Sequence, residues 1–257
     1  MGALSRRAGD DGPPSTIEER LRAALVPAGL QYGYRARRER RRGEAEIALL
    51  PHLVDRRRIS VDIGANKGVY TYWLERCSRH VHAYEPNPKI FRILAAGARG
   101  KVTLSPVALS DSNGQAMLRV PKTAKGYSNQ GASLNPDKVG ARYLEVAVET
   151  RRLDDEGLAD VGFIKIDVEG HEAAVLAGAR ETLARDRPTL LIEIEEAHNK
   201  RPIERSLAEV EALGYAGFAL IGGVLASIAR FDPEAHHRAP ARPADYVFNF
   251  IFFPTRG

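Results

Sequence analysis

Four segments of this chain carry residues whose types and spacing suit chemistry on a bound ligand. The first runs Ile59-Ser60-Val61-Asp62-Ile63-Gly64-Ala65-Asn66-Lys67-Gly68-Val69-Tyr70: an apolar run climbs to Asp62, turns on Gly64 and Gly68, and enters a helix pattern at Val69. The second, Tyr84-Glu85-Pro86-Asn87, ends the next apolar run roughly twenty residues later. A carboxylate at that distance stands beside a ribose held over the first strand's tip, which is the logic of nucleotide-cofactor folds. The third is Ala108-Leu109-Ser110-Asp111, and the fourth Ile164-Lys165-Ile166-Asp167-Val168-Glu169-Gly170-His171-Glu172.

The glycine turn narrows the cofactor. A dinucleotide site needs G-x-G-x-x-G opening onto a helix N-terminus that receives a pyrophosphate. Here the order is Gly64-x-Asn66-x-Gly68, with no third glycine at the helix start. Asp62, just before the first glycine, repels a pyrophosphate and accepts a hydrogen bond from an ammonium. S-adenosylmethionine has an ammonium, a carboxylate and a ribose diol but no phosphate, so it suits this charge layout better than NAD. The competing reading is a tight turn between strand and helix in another kind of α/β enzyme.

The block Asp62-Ile63-Gly64-Ala65-Asn66-x-Gly68, with Tyr84-Glu85-Pro86, Ala108-Leu109-Ser110-Asp111 and the Ile164–Glu172 segment, resembles the FkbM family of S-adenosylmethionine-dependent methyltransferases. The likeness spans residues 58–253. Its specific part is Lys165-Ile166-Asp167-Val168-Glu169-Gly170-x-Glu172; the glycine turn alone is shared by many methyltransferases. The resemblance implies a Rossmann-like class I methyltransferase fold. It also implies methyl transfer, usually to a hydroxyl oxygen of a small natural product or a sugar, and it leaves the acceptor open.

In an open α/β sheet the ligand sits at the carboxyl ends of the strands. Asp62, Gly64, Ala65, Asn66 and Gly68 are therefore expected to cradle the methionine part of the cofactor. Glu85, followed by Pro86, takes the ribose hydroxyls, while Ala108, Leu109 and Asp111 lie where the adenine rests. Asp167, Glu169, His171 and Glu172 come near the methyl group. Positioning contributes most to such a transfer, and a general base adds a few orders of magnitude. Asp167, Glu169, His171 and Glu195 are the candidates for that catalysis, with Asp167 also able to bind the cofactor. Competing structural roles exist: Glu169 as a carboxylate offsetting helix-start amides, His171 as a surface residue, Glu193 satisfied by backbone amides, and Glu195 solvated. Asp167 with Glu195 or His198 would also suit a hard cation such as Mg²⁺. Hydrogen bonding to a sugar explains those residues equally well, so no metal is assigned and a divalent ion is admitted without being favoured. Tyr127, Ser128, Asn129, Gln130 and Ser133, in a long polar loop, are candidates to touch the acceptor. His236-His237 are expected to be solvent-exposed.

With 257 residues and 44% hydrophobic side chains, the chain can bury one large α/β domain, at 58–257, behind an N-terminal extension at 1–57. The first fourteen residues are expected to be disordered. Helices are predicted at Ile17–Val26 and Glu44–Val54, with an arginine-rich loop between them. Apolar runs then alternate with helix patterns, predicting a mostly parallel seven-stranded sheet with helices on both faces. Asn113-Gly114 signals a turn that inserts a β-hairpin and loop. Helices are also expected at Glu172–Ala184 and Ile203–Leu213.

A single cysteine, Cys77, excludes an intrachain disulfide and suits a reducing compartment. No apolar run reaches membrane-spanning length and the first residues lack a signal-peptide pattern, so a cytoplasmic location without membrane attachment is expected. The net charge of +5 concentrates in Arg35–Arg42 and Arg56–Arg58. No aromatic residues interleave these arginines, which disfavours nucleic acid as a partner. A hydroxylated small molecule or sugar is the expected partner; an RNA methyltransferase and a non-catalytic cofactor-binding scaffold are the alternatives, and a homodimer is left open.

Overall fold

The computed structural model describes residues 13–14, 16–18, 24–123, 126–128, 131–135 and 142–255. Most of the N-terminal stretch expected to be disordered, residues 19–23 of the first predicted helix, and Asn129 and Gln130 lie outside the described residues.

Among the described residues, twelve strands follow in chain order: β1 (Ile59–Ile63), β2 (His80–Tyr84), β3 (Val102–Ser105), β4 (Ala108–Leu109), β5 (Gly114–Thr123), β6 (Gly126–Tyr127), β7 (Tyr143–Arg151), β8 (Val161–Ile166), β9 (Thr189–Glu193), β10 (Tyr215–Ile221), β11 (Val224–Ser227) and β12 (Asn249–Pro254). The main sheet has the order β11-β10-β12-β9-β8-β1-β2-β3. Its five strands from β9 to β3 run parallel; β12, β10 and β11 join antiparallel. This is the mostly parallel sheet expected, with β11 as an eighth strand on one edge. All residues of β1 and β8 are buried. Parallel strands covered on both faces read as continuous apolar runs for that reason.

The chain moves from β1 outward to β2 and β3, then returns to β8 on the other side of β1. That reversal opens a crevice at the carboxyl ends of β1 and β8, the place where such sheets bind ligands.

The second sheet, β4-β7-β5-β6, is the inserted unit. The Asn113-Gly114 turn does not fold β5 back on the strand before it. Instead β5 pairs antiparallel with β7 across the intervening segment, from Gly114 opposite Thr150 to Pro121 opposite Tyr143. Asn113 holds the corner: its amide donates to Asp155 at 2.8 Å and its carbonyl accepts from the Arg152 backbone at 2.8 Å. Ala108, Leu118, Val120, Leu144, Val146 and Val148 form a small core of their own there.

Three expectations about helices change. The arginine-rich stretch is a helix, Ala28–Arg42, with Pro27 at its start. It has only a narrow buried face, Tyr32, Gly33 and Ala36. That face packs on the helix Val69–Cys77, where the Trp73 indole donates to the Ala36 carbonyl at 3.0 Å. Arg40 lies over the Trp73 ring, 4.5 Å from its centroid. Residues 172–186 form two helices, Glu172–Ala177 and Arg180–Asp186. The second has its own cap, since the Asp154 carboxylate accepts from the backbones of Glu181 and Thr182 at 3.1 and 2.9 Å. The helix expected at Glu44–Val54 is a 3-10 turn, Ala45–Ala48, and a short helix, Leu50–Leu53, yet Ile47, Leu50, Leu53 and Val54 share one core cluster as the spacing implied. Among the described residues, no helix is long and apolar enough to cross a membrane.

Candidate active site

The β1 turn is pressed against the tip of β8. Gly64 has φ +78°, and a Cβ there would lie 1.8 Å from the Asp167 carbonyl oxygen, so no side chain fits. The Gly64 and Ala65 amides donate to the Tyr84 carbonyl at 3.0 and 2.9 Å, while the Asp167 amide donates to the Ile63 carbonyl at 3.0 Å. These bonds bring the ends of β2, β1 and β8 together.

Beneath the turn, Asp62 is 1% exposed and accepts a 2.5 Å hydrogen bond from the Thr71 hydroxyl. Burial pushes its carboxyl up to about 6, against the opposing effects of Thr71 and Lys165. Glu85 is 7% exposed; its two oxygens accept from the backbones of Asn66 and Asn87, each at 2.8 Å. Burial pushes Glu85 up to about 7, and Asp167 and Asp62 add to the rise while the two amides oppose it.

At the β8 tip, Lys165 is 1% exposed and its ammonium lies 3.8 Å from Asp167. Burial opposes its charge, but Asp167, Glu44, Glu193 and Asp62 outweigh that and hold it above its ordinary value. Glu169 follows in a left-handed conformation, φ +57°. The inserted sheet's loop grips this turn: the Gly131 amide donates to Glu169 Oε1 at 3.1 Å and the Ser133 hydroxyl donates to the Glu169 carbonyl at 2.6 Å. Asn135 donates to the carbonyls of Gly170 (3.3 Å) and His198 (2.9 Å). His198 Nε2 stands 3.3 Å from Glu169 Oε2 and 3.7 Å from Glu195 Oε1. Glu193 is pushed up to about 9 by burial and by the neighbouring Asp167.

A cavity of about 290 Å³ opens over these strand tips. Gly64, Asn66, Glu85, Pro86, Ala108, Asp167, Glu169 and His171, all anticipated from the sequence, line it. Asp62, Ala65, Gly68, Asp111 and Glu195 do not. Asp62 supports the turn from below, Asp111 bonds the hydroxyls of Ser110 and Ser112, and Glu195 accepts from the Tyr246 hydroxyl at 2.6 Å. His171 is tied through Nε2 to the Ser110 hydroxyl at 2.8 Å, and burial lowers its affinity for a proton. Ser133 lines the cavity too, whereas Tyr127 and Ser128 do not.

Sequence reasoning missed Glu44 and Leu118, both in the cavity wall. Glu44 accepts from Tyr70 at 2.6 Å and from Asn249 at 2.8 Å. Nothing in its local sequence marks it, since its partners lie 26 and 205 residues away. His237 corrects an expectation: it is buried, Nε2 accepts from the Glu196 amide at 3.2 Å, and Nδ1 donates to the Val247 carbonyl at 2.8 Å.

Five carboxylates line the cavity (Glu44, Glu85, Asp167, Glu169 and Glu193), with no Lys or Arg among the described lining residues. Such a wall favours a cationic ligand. Residues 62–220 match the model of the methyltransferase FkbM domain. The chain belongs to this family. It is 29% identical over 220 residues to the 31-O-demethyl-FK506 methyltransferase FkbM of Streptomyces tacrolimicus, covering 71% of this chain and 80% of that protein. It is 30% identical over 152 residues to the 2-O-methyltransferase NoeI of Sinorhizobium fredii, covering 50% of this chain and 60% of NoeI. The crystal structure of methyltransferase FkbM from Methylobacillus flagellatus KT aligns with TM-score 0.48 and 18% identity, over 77% of this chain and 44% of that one. FkbM membership makes residues 62–220 the core of an S-adenosylmethionine-dependent methyltransferase domain.

Proposed function

We propose that the protein transfers a methyl group from S-adenosylmethionine to a hydroxyl oxygen of a small natural product or a sugar. The observation that carries this reading is the cavity wall: five carboxylates without a lining Lys or Arg suit a sulfonium and an ammonium and reject a pyrophosphate. The two curated relatives, whose names describe O-methyl transfer, support oxygen as the acceptor atom.

Glu85 would hold the ribose diol, the Gly64–Asn66 turn the methionine part, and Ile90, Val107 and Leu109 the adenine. Bound S-adenosylmethionine supplies an electrophilic methyl on a sulfonium. Asp167, kept beside the Lys165 ammonium, accepts the acceptor's hydroxyl proton, and Glu169 orients that hydroxyl. The Ser110 bond holds His171 as part of the cavity wall. A cytoplasmic location accords with a single, buried cysteine.

Calorimetric titration with S-adenosylmethionine and with NAD tests the reading. The former should bind and the latter should not, and transfer of a labelled methyl to hydroxylated acceptors should follow. Binding of NAD alone would refute it.

A further inference from the structure

We propose that Glu169, Glu193 and His198 hold a divalent cation of the Mn²⁺ or Mg²⁺ kind at the edge of the cavity, and that this cation grips two neighbouring oxygens of the acceptor. The inference rests on the methyltransferase reading above and narrows its acceptor class to compounds with a hydroxyl beside a second hydroxyl or carbonyl.

The three residues come from three elements: the turn after β8, the end of β9, and the short helix Glu196–Asn199. Each offers one ligand atom, and these atoms lie within 4.8 Å of one another. His198 Nε2 and Glu169 Oε2 are 3.3 Å apart. Adjacent ligands on an octahedral ion with bonds of ~2.1 Å stand about 3 Å apart, so this pair already spans nearly one coordination edge. Two carboxylate oxygens with one imidazole match ions of intermediate hardness. Asp167 and Glu195 flank the group and add negative charge, which the Lys165 ammonium beside Asp167 offsets only in part.

Glu169 and Glu193 both face the cavity, so the ion would be open to the acceptor on that side. Three protein ligands leave three octahedral positions, enough for two acceptor oxygens and a water. A cation on the hydroxyl lowers its pKa and fixes its direction. In the transfer the acceptor O–H bond breaks and its proton passes to Asp167. The new O–CH₃ bond forms as the S–CH₃ bond breaks, and the sulfur leaves as a neutral thioether. Charge and atoms balance without a further reactant.

The test is a titration of the chelator-stripped full chain with MnCl₂, following loss of the free Mn²⁺ signal by electron paramagnetic resonance. Wild type should bind one ion per chain. Glu193→Gln, nearly isosteric, and His198→Gln should each weaken binding at least about tenfold, with circular dichroism confirming that they fold. Failure of wild type to bind Mn²⁺, or binding unchanged in both variants, overturns the cation site. S-adenosylmethionine titrated into the same stripped samples separates the two ideas. Cofactor binding without Mn²⁺ binding sinks the cation alone, whereas absence of cofactor binding sinks the methyltransferase reading on which it rests.

Discussion

Gly64→Ala should unfold the link between the β1 turn and the β8 tip. The added Cβ would lie 1.8 Å from the Asp167 carbonyl oxygen, and real Cβ contacts essentially never fall below 3.0 Å. The strand tips must therefore part by about 1.2 Å, which overpacks a site with buried strands on both sides. The φ of +78° adds a left-handed penalty, and parting the tips stretches the bond from the Asp167 amide to the Ile63 carbonyl. Together these should cost about 3–5 kcal/mol, which at this chain length lowers the melting temperature by on the order of 10 °C. The control is Gly157→Ala. Gly157 has φ +65° with nothing within 4 Å of its would-be Cβ, so it isolates the conformational part, about 1–2 kcal/mol. Urea unfolding of both variants measures the difference, and calorimetry below the unfolding transition reads cofactor affinity. Because the displaced group is Asp167, binding should weaken only in Gly64→Ala. Equal stability losses in the two variants, with affinity unchanged, would refute the close contact and its role in the site.

Two further outcomes follow from buried charge. Glu85 sits at about 7 in the fold, above its ordinary value of 4.5; its protonated form is the one burial favours, so this contribution to stability is full below ~4.5 and lost as pH rises through 7. Cofactor binding should run the other way, tightening by up to tenfold per pH unit below 7 as the carboxylate forms. Since the cofactor's own α-amino group titrates near ~7.7–8.0, the measured quantity is the difference between the calorimetric pH profiles of wild type and Glu85→Gln, and superimposable profiles would contradict it. Lys165→Met removes the ammonium between Asp167 (3.8 Å) and Asn249 (3.5 Å) and leaves buried carboxylates unbalanced. A loss of about 3–5 kcal/mol is expected in urea unfolding at pH 7; a loss below ~1 kcal/mol would show that the ammonium does not balance that cluster.

The parallel half of the main sheet was legible because its strands are short runs bounded by turn signals, and burial on both faces makes β1, β8 and most of β9 largely apolar; β3, at the sheet edge, is only partly covered. The helix Ala28–Arg42 was not. Its buried face is Tyr32, Gly33 and Ala36, too narrow to give an apolar period among arginines, and it becomes visible only once Trp73 and Tyr72 are placed opposite. The β5–β7 pairing was hidden for another reason: the local Asn113-Gly114 signal is real, but the partner strand is distant in sequence. In the site, Gly64, Glu85, Asp167 and Glu169 announced themselves because each sits at a strand end. Asp62 looked like a ligand group, yet strand alternation aims it down at Thr71. Glu44 reaches the cavity from the N-terminal region purely through tertiary packing, which no spacing rule encodes.

The inserted sheet enters and leaves the domain at one place. Gly114 and Thr150 are paired neighbours, about 5 Å apart, and Asn113 bridges the two ends to Arg152 and Asp155. Between those ends the insert carries its own small core and sends Leu118 and residues 131–134 into the cavity wall. It behaves as a cassette plugged into a socket. On the proposed reading the donor is held by the parallel sheet, while the cassette shapes the space the acceptor must enter. Replacing it requires no new chain reach and leaves Gly64, Glu85 and Asp167 untouched, so a lineage can change what it methylates while keeping how it methylates.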